Sequence, residues 1–375
     1  MNSPFGQEVL TAARVMVIGC GALGNEVLKH LALMGVGRLT VVDFDRVEAD
    51  NLPRSVLFTA ADAEAGRPKV EAAAERLRQL NPGVTVVPVN GDIACDVGLG
   101  LIRQQDVLIG CVDNRWARYC INRLAMRAAK PWVDGAIDGL EGTARVFIPG
   151  QNCYACSLGP EGLRDMSRRL SCAGVVRRDI AAGKAPTTSI AASVIGAVEV
   201  QEAVKLLHQK ALQAGELTSL CGKMFYYEGR HLTTRLASFR AYDADCAVHD
   251  EWTPVRHMPL TTATAAGEAL RLLKRELDDP TASILLVDDC FADYVVRRDT
   301  DQRYEVMLPG RRVAAYVDSQ VALRGLPFSN LYQHEWRTVD HTFPYPELTL
   351  GQLGIPAQAV LPVDTGRRTY YIEIE

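Results

Sequence analysis

The start of the chain alternates between short apolar runs and an amphipathic segment. Residues 15–18 and 39–42 are apolar runs bounded by polar or glycine residues, and residues 23–34 between them carry apolar side chains at helical spacing. A short bounded apolar run is typical of a buried strand, and apolar positions three and four residues apart are typical of a helix. The pattern therefore predicts a strand, a turn, a helix and a second strand, the repeating unit of a parallel sheet.

Later segments first repeat this pattern and then change it. Residues 107–111 predict another buried strand, a helix starts near Arg115, and residues 188–207 predict a long apolar helix. Residues 251–262 are typical of a linker and residues 265–277 of an amphipathic helix, and strand-like alternation follows at 283–287, 294–298, 303–308, 312–317 and 369–374. We expect a doubly wound, Rossmann-like α/β domain over residues 1–255 and a smaller α+β domain over residues 256–375.

Composition narrows the class of protein. The 375 residues are 48% apolar and 23% charged, with a net charge of -4 and a mean hydropathy of -0.01. These values are ordinary for a globular protein and give no reason to expect a nucleic-acid partner. No segment has the pattern of a signal peptide or approaches the ~20 apolar residues of a membrane helix. We therefore expect a cytoplasmic protein without a membrane partner.

A glycine-rich turn joins the first predicted strand to the first helix. Gly19, Gly21 and Gly24 have the GxGxxG spacing, in which the first glycine permits a tight turn, the second lets backbone approach a phosphate and the third lets helix pack on strand. Asp43, at the end of the next predicted strand, is placed to hold a ribose hydroxyl. The spacing predicts a nucleotide site; the alternative is a glycine turn that binds nothing.

Polar residues beyond the second predicted strand indicate which nucleotide binds. Asn51, Arg54 and Lys69 would be redundant beside NAD, but they suit a triphosphate whose α-phosphate gathers negative charge under attack by a carboxylate. Asp113 lies just beyond the third predicted strand, where it could hold Mg²⁺. Each residue also has a structural explanation: a solvated surface charge, a turn at Asn51, or a helix cap at Asp113. Their order behind the glycine turn favours ATP and Mg²⁺.

Ten cysteines in a reduced interior are core thiols, metal ligands or nucleophiles rather than a disulfide framework. Cys153 and Cys156 form a CxxC, and Cys246 and His249 repeat the two-residue gap. These four predict a tetrahedral Zn²⁺ site, and the alternative is buried thiols with His249 on the surface. Cys172 lies among six arginine and lysine residues between positions 164 and 184, which favours its thiolate. It is the candidate nucleophile; the alternative is an inert loop cysteine.

The motifs GCGALG, DFDRVEADNLPR, RPKV, DNRWARYCIN and DGAIDGLEGTARVFIPGQNCYAC resemble those of the ThiF/MoeB family of ubiquitin-activating-enzyme-like (E1-like) adenylyltransferases, over residues 5–250. The resemblance implies a fold that binds ATP and Mg²⁺ and adenylates the C-terminal glycine carboxylate of a ubiquitin-like protein. The nucleotide contacts that it implies are Gly19, Gly21, Gly24, Asp43, Asp45, Asn51, Arg54, Lys69, Asp113 and Asn114. Among these, it implies catalytic roles for Arg54, Lys69 and Asp113, and it supports the zinc pairs.

Some positions depart from the family pattern. Ala22 replaces the second glycine of the family's GGLG, Ser55 replaces the glutamine that usually follows the arginine, and the family's amino-terminal arginine segment is missing before Phe5. In homodimers of the family that segment reaches the neighbour's phosphates. We still expect a homodimer, but the departures leave open how dimerisation completes the site.

The resemblance implies more than one fate for the adenylate. In thioester-forming relatives a cysteine of the crossover segment, here residues 157–187, attacks the adenylate, and Cys172 is the candidate, with transfer to a conjugating (E2-like) enzyme. One alternative is a sulfur-transfer adenylyltransferase that stops at the acyl-adenylate, since Cys172 also fits the SC-x-GV pattern of those relatives. Another is a nucleotide-binding subunit without turnover, and a nicotinamide oxidoreductase is the most distant alternative.

The last part of the chain favours the first of these fates. Its final 29 residues, from ELTLGQLG to YYIEIE, resemble the close of a β-grasp domain, which recruits the conjugating enzyme in activating enzymes. Residues 251–375 carry 13 Lys+Arg against 18 Asp+Glu, so this part is acidic and could dock a basic partner. The alternative is a small α+β appendage that only stabilises a dimer.

Overall fold

The structure is a computed structural model that describes residues 6–159, 162, 188–238, 242–286, 291–297, 302–309 and 331–375, with the backbone alone for 291–297, 302–309 and 331–335. The described residues form two compact units. The first comprises those within 1–94, 102–166 and 183–251, and the second comprises those within 95–101 and 252–375. The division at Trp252 lies close to the boundary that we predict at residue 255.

Up to residue 138 helices separate the strands, and beyond it two pairs of strands, within 132–147 and 223–238, follow one another directly. The strands are β1 (Arg14–Ile18), β2 (Arg38–Asp43), β3 (Thr85–Asn90), β4 (Val107–Gly110), β5 (Trp132–Asp138), β6 (Glu141–Phe147), β7 (Lys223–Glu228) and β8 (Thr233–Ser238). The helices are α1 (Gln7–Ala12), α2 (Ala22–Leu33), α3 (Ala60–Glu64), α4 (Lys69–Leu80), α5 (Leu99–Arg103), α6 (Arg115–Arg127), α7 (Ser189–Leu207) and α8 (Gln209–Gln213). The strands and helices predicted in this part of the chain are confirmed, and each end that was predicted lies within one residue of the observed end.

One mixed sheet organises the first unit. Its strand order is β3-β2-β1-β4-β5-β6-β7-β8, with parallel pairing from β3 to β5 and antiparallel pairing from β5 to β8. The chain adds strands outward from β1 to β3 and then returns to place β4 on the other side of β1. The carboxyl ends of β1 and β4 therefore frame the switch point at which doubly wound sheets bind ligands. The predicted fold class is confirmed.

Two helices pack closely on one another beside this sheet. Thr188 caps α7, because its hydroxyl accepts a hydrogen bond from Ala191 N at 3.2 Å. A Cβ at Gly196 of α7 would lie 3.0 Å from the Cβ of Glu26 on α2, so the glycine permits the close approach of the two helices. The buried apolar side chains of α2, α7 and the central strands form one continuous core. Their burial supplies the main stabilising free energy, at about 25 cal/mol per Å² of apolar surface.

The second unit has a sheet and a core of its own. Its elements are β9 (Val255–His257), α9 (Ala266–Glu276), β10 (Ser283–Leu285), β11 (Phe291–Arg297), β12 (Gln302–Pro309), β13 (Leu331–Trp336), β14 (Thr338–Val339), β15 (Val360–Asp364) and β16 (Thr369–Glu373). Five strands pair in the order β14-β10-β15-β16-β9, and β12-β11-β13 form a second sheet. Leu270 and Leu273 lie on the buried face of α9, as the amphipathic pattern predicts.

The segment that leads into the second unit differs from its sequence-based expectation. Residues 251–262 are not simply a linker, because β9 lies within them and pairs in parallel with β16. Trp252 is buried and stacks on Tyr371, with ring centroids 5.0 Å apart, which anchors this segment. The first and last strands of the unit, β9 and β16, are parallel neighbours, and β9 lies at the edge of the described sheet. The resemblance of this unit to a β-grasp domain stays a prediction. The strand predicted at 312–317 lies outside the described residues.

None of the described helices is long and apolar enough to cross a membrane.

Candidate active site

A cavity of about 330 Å³ lies at the carboxyl ends of β1, β2, β4 and β5. This volume is within the range of small-molecule sites, ~300–1,000 Å³. The structure brings together on its wall nine of the ten predicted nucleotide contacts, namely Gly19, Gly21, Asp43, Asp45, Asn51, Arg54, Lys69, Asp113 and Asn114. The tenth, Gly24, lies outside the lining. The candidate site is therefore at the switch point of the sheet.

The three glycines of the turn have three different environments. Gly19 has φ +96°, and a Cβ there would lie 2.4 Å from the carbonyl oxygen of Cys111. A Cβ at Gly24 would lie 2.0 Å from the carbonyl oxygen of Gly19, so this glycine permits helix α2 to pack on the turn. Gly21 has no atom within 4 Å of a would-be Cβ, and it precedes α2 without a side-chain cap. The amino terminus of α2 is thus open to an anion from the cavity.

Asp43 ends β2 with its carboxylate held in place. Its Oδ2 accepts a hydrogen bond from Cys20 N at 2.7 Å, and its Oδ1 accepts one from Asp45 N at 2.8 Å. Burial raises the pKa of Asp43, and the nearby Lys69 ammonium opposes that rise. A carboxylate oriented by backbone N–H groups at the cavity wall is an acceptor that suits a ribose hydroxyl.

Each predicted phosphate-binding cation is paired with an acidic residue of this chain. Lys69 is 7% exposed, and its Nζ lies 2.7 Å from Oδ2 of the half-exposed Asp45. Arg54 donates from Nη1 to the carbonyl oxygen of Asp50 at 2.6 Å, and its Nη2 lies 3.9 Å from the Asp50 carboxylate. Both cations therefore line the cavity in positions that are held before a nucleotide binds.

The structure separates the roles of Asp113 and Asn114. The helix α6 is capped by Asn114, whose side-chain oxygen accepts a hydrogen bond from Ala117 N at 2.7 Å. Asp113 is exposed and receives a hydrogen bond from Asn114 Nδ2 at 3.3 Å, so its carboxylate is not used as the cap. Because a carboxylate oxygen on the cavity wall is a ligand that Mg²⁺ prefers, Asp113 fits the predicted metal role.

Asn51 caps a local 3₁₀ helix in addition to lining the cavity wall. It is 5% exposed, and its Oδ1 accepts a hydrogen bond from Glu48 N at 3.0 Å in a capping box of the 3₁₀ helix Ala49–Arg54. Its Nδ2 donates to Asp50 Oδ1 at 3.1 Å. The structural explanation of Asn51, a turn, is thus observed beside its position on the wall.

Sequence reasoning missed Arg118, which is 8% exposed and lines the cavity. Its Nε donates to Asp134 Oδ1 at 2.8 Å, and its Nη2 donates to the carbonyl oxygens of Val112 at 2.5 Å and Gly135 at 3.1 Å. The second oxygen of Asp134 binds Arg145. The signal in the sequence was a basic residue on a predicted helix that directly follows Ala117 and precedes Cys120 by two residues, and both of these side chains are buried.

Cys153, Cys156, Cys246 and His249 form a cluster whose ligand atoms all lie within 4.8 Å of one another. The sulfur of Cys153 lies 3.6 Å from that of Cys156 and 3.8 Å from that of Cys246, and Cys156 Sγ lies 3.3 Å from His249 Nε2. Ligands ~2.3 Å from a tetrahedral zinc ion are about 3.8 Å apart, so these spacings fit zinc. The alternative, buried thiols with His249 apart from them on the surface, does not match this arrangement.

The pKa shifts of Cys246 and His249 also favour metal binding at this cluster. Burial and the neighbouring thiols raise the pKa of Cys246 to about 12, so the Cys246 thiol strongly disfavours its charged form without a cation. Burial lowers the pKa of His249, which keeps its imidazole neutral and able to bind metal. His249 Nδ1 has no hydrogen-bond partner among the described residues, and Tyr242 stacks on the ring at 4.6 Å.

Cys172, the candidate nucleophile, lies outside the described residues, as does most of the crossover segment at 157–187.

The fold and the cavity define a nucleotide-binding protein of the doubly wound class. Residues 3–248 match the model of the ThiF family, so the chain belongs to that family. It is 34% identical over 248 residues to the SAMP-activating enzyme E1 of Haloferax volcanii, covering 66% of this chain and 84% of that protein. It is 35% identical over 227 residues to the molybdopterin-synthase adenylyltransferase of Escherichia coli, covering 60% and 82%.

A third relative extends further along this chain. The adenylyltransferase and sulfurtransferase MOCS3 of Mus musculus is 32% identical over 299 residues, covering 75% of this chain and 61% of that protein. Among solved structures, E. coli MccB with ATP superposes with a TM-score of 0.51 at 21% identity, over 64% of this chain and 68% of that one. At this identity, the likeness to MccB shows the fold alone.

Proposed function

We propose that this protein is an ATP-dependent adenylyltransferase that activates the C-terminal glycine carboxylate of a ubiquitin-like or sulfur-carrier protein. The observation that carries the proposal is that one cavity wall gathers the glycine turn, a ribose acceptor, two cations and the exposed carboxylate of Asp113. The names of its relatives support adenylyl transfer, since they include an activating enzyme and adenylyltransferases.

The proposed chemistry is attack of the carrier's carboxylate on the α-phosphorus of ATP. A bond forms between the carboxylate oxygen and phosphorus, and the bond to the bridging oxygen of pyrophosphate breaks. Asp43 would hold the ribose, and the backbone at Gly21 would approach the phosphates. Arg54 and Lys69 would offset the negative charge that develops as pyrophosphate leaves. Asn51 and Asp45 belong to the same proposed nucleotide wall.

Two metal ions belong to the proposal. Asp113 would hold Mg²⁺, beside Asn114, and this ion would supply charge neutralisation for the triphosphate. A structural Zn²⁺ would be held by Cys153, Cys156, Cys246 and His249. These four ligands would fill all four positions of a tetrahedral ion, so none would be left for substrate. The proposed assembly is a homodimer.

The fate of the adenylate has two versions within this proposal. In the first, Cys172 attacks the mixed anhydride, the carrier becomes a thioester on the enzyme and AMP leaves, after which an E2-like conjugating enzyme accepts the carrier. In the second, the enzyme stops at the acyl-adenylate and a sulfur donor consumes it. Relatives with an E1 name favour the first version, and relatives named sulfurtransferases favour the second. The two fit equally.

The test is ATP–pyrophosphate exchange with small β-grasp proteins that end in glycine, each added to the full-length protein with Mg²⁺. We expect exchange that depends on one of these proteins and on its terminal carboxylate, together with a covalent adduct that thiols cleave if the thioester version holds. The Cys172→Ala variant should keep exchange and lose the adduct, with Cys221→Ala as the matched cysteine control.

Each outcome has a distinct meaning. Exchange without any adduct in the wild type would favour the sulfur-transfer version. An adduct that persists in Cys172→Ala would show that another cysteine is the nucleophile. ATP binding without exchange for every carrier would contradict adenylation and favour a nucleotide-binding subunit.

A further inference from the structure

The wall of the cavity contains a place where two neighbouring strands stop pairing. The last residue of β4, Gly110, pairs with Asp134 of β5, but β5 continues beyond this point to Asp138. Gly135 is therefore the first residue of β5 with no partner on β4. Buried backbone groups need hydrogen-bond partners, so side chains must supply them here. Gly135 also lines the cavity.

Two ionisable side chains supply these partners. Arg118 donates to the carbonyl oxygen of Gly135, as described above, and the backbone N–H of Gly135 donates to the carboxyl group of Glu199 on α7. The same two side chains also contact the segment after β4: Arg118 binds the carbonyl oxygen of Val112, and Glu199 Oε2 lies 3.9 Å from Cys111 Sγ. Each therefore bridges the gap between β4 and β5.

The space around the Glu199 carboxyl group is tightly defined. Glu199 is 0% exposed. A Cβ at position 135 would lie 2.5 Å from each of its carboxylate oxygens, so the glycine is what makes room for this group. Its Oε1 has no hydrogen-bond partner among the described residues. A buried oxygen without a partner is costly, and more so if it carries charge.

The charged and titratable groups around Glu199 favour its uncharged form. Burial, followed by the Asp134 carboxylate, raises the pKa of Glu199 well above its usual value, while Arg118 opposes that rise. Arg118 forms an ion pair with Asp134, which also binds Arg145, so the positive charge of Arg118 is already matched without Glu199. The groups facing Glu199 from neighbouring elements are Cys111 after β4, Asp134 on β5 and Arg118 on α6.

We infer that Glu199 is a positioning residue for adenylation, which holds the cavity wall at Cys111 and Gly135 in the form of an uncharged carboxylic acid. This inference rests on the proposed function. Cys111 precedes Asp113 by two residues, and Gly135 begins the cavity-lining part of β5. A shift of this wall would misplace the triphosphate relative to the attacking carboxylate. An ionised Glu199 would add negative charge behind a site that must bind a polyanion.

The variants that test the inference are Glu199→Gln and Glu199→Ala, with Glu202→Gln and Glu202→Ala as matched controls. Glu202 lies on the same helix and is 2% exposed, but it binds Lys205 and Leu220 N and does not line the cavity. Glu199→Gln keeps the shape and the acceptor without the charge. Glu199→Ala removes the acceptor of Gly135 N–H and leaves a space.

Two measurements are needed on each variant: the Kd for ATP by calorimetry, and kcat and KM for ATP in pyrophosphate exchange. Glu199→Ala should raise the Kd for ATP at least about tenfold and should also lower kcat/KM, because a small displacement of the groups that position the triphosphate is costly. The Glu202 variants should lower the melting temperature without this change.

The pH profile separates positioning from a merely structural role. Because the pKa of Glu199 is raised in the folded protein, the folded state binds the proton more tightly than the unfolded state, so wild-type stability falls as pH rises above the ordinary glutamate range. ATP affinity should fall as Glu199 ionises. Glu199→Gln lacks both losses, so its ATP affinity and melting temperature relative to wild type should rise with pH.

The inference is overturned if the ratio of Kd values for Glu199→Gln and wild type is constant with pH, or if Glu199→Ala binds ATP as wild type does. ATP binding and melting temperature require no carrier protein. Failure of wild-type exchange with every carrier would therefore contradict the proposed function, while the binding data would still decide the role of Glu199.

Discussion

At the scale of single residues, Lys69 shows how the cavity combines burial with a held charge. Its ammonium group is paired with Asp45, whose side chain is 53% exposed. Lys69→Ala should lower the rate of pyrophosphate exchange by about a hundredfold or more, because it removes a preorganised cation from the developing charge. The melting temperature should change little, since water can solvate the Asp45 left behind.

Lys29→Ala is the matched control for that variant, because Lys29 pairs with Glu26 on α2 and does not line the cavity. Exchange by Lys29→Ala should equal that of wild type. Comparable losses in both lysine variants would contradict a specific role for Lys69 in the chemistry.

Some residues of the candidate site could be predicted from the sequence more readily than others. Gly19, Asp43 and Asp113 follow strands and stand at fixed spacings, so a local pattern sufficed to place them together. Arg118 and Glu199 could not be recognised in this way. Their role depends on Gly135 losing its partner on β4, which is a property of strand pairing between distant segments. Local periodicity reports that a side chain faces inward but not what it meets there.

At the scale of secondary-structure elements, short-range patterns placed most helices and strands. The amphipathic pattern of α9 and the apolar pattern of α7 gave their bounds to within one residue. The strand β9 was missed because three residues, Val255–His257, are too few to show alternation, and their pairing with β16 joins distant parts of the chain. Residues 312–317 remain an untested strand prediction.

The cluster of Cys153, Cys156, Cys246 and His249 joins two segments of the chain that are 90 residues apart, counted from Cys156 to Cys246. We predict that the purified protein carries about one zinc ion per chain, and that a strong chelator lowers its melting temperature, because a structural zinc contributes folding free energy. Metal analysis and thermal unfolding before and after chelation measure both effects.

Cys246→Ser should lose the zinc ion, whereas Cys221→Ser should keep it, since Cys221 donates to Gln151 and is not part of the cluster. Equal zinc content in the two variants would contradict the assignment of the cluster.

At the scale of the whole molecule, the chain does not divide into two units at one point. Residues 95–101 lie in the first half of the sequence but belong to the second unit. Gly100 N donates to the carbonyl oxygen of Gln358 at 2.8 Å, and Val97 and Leu99 are each 5% exposed. This short segment is therefore a structural part of the second unit, which a division by sequence position alone does not reveal.

Gly98 is the residue on which this arrangement is most easily tested. A Cβ at this position would lie 2.2 Å from the carbonyl oxygen of Ala357 and 2.4 Å from that of Gln358. Both are backbone atoms, so they cannot move aside as the end of a side chain can. Gly98→Ala in the full-length protein should therefore destabilise it by about 1–3 kcal/mol, the usual cost of overpacking, and lower its melting temperature.

Gly6→Ala is the control for Gly98→Ala, because a Cβ there would meet only the flexible end of the Glu8 side chain, at 3.0 Å. Its stability should stay within about 0.5 kcal/mol of wild type. The Kd for ATP of Gly98→Ala, measured well below its melting temperature, should also match wild type, since the residues that line the cavity all belong to the first unit. An unchanged melting temperature for Gly98→Ala would show that residues 95–101 do not pack against 357–358 in solution, and that the chain divides near residue 252 alone.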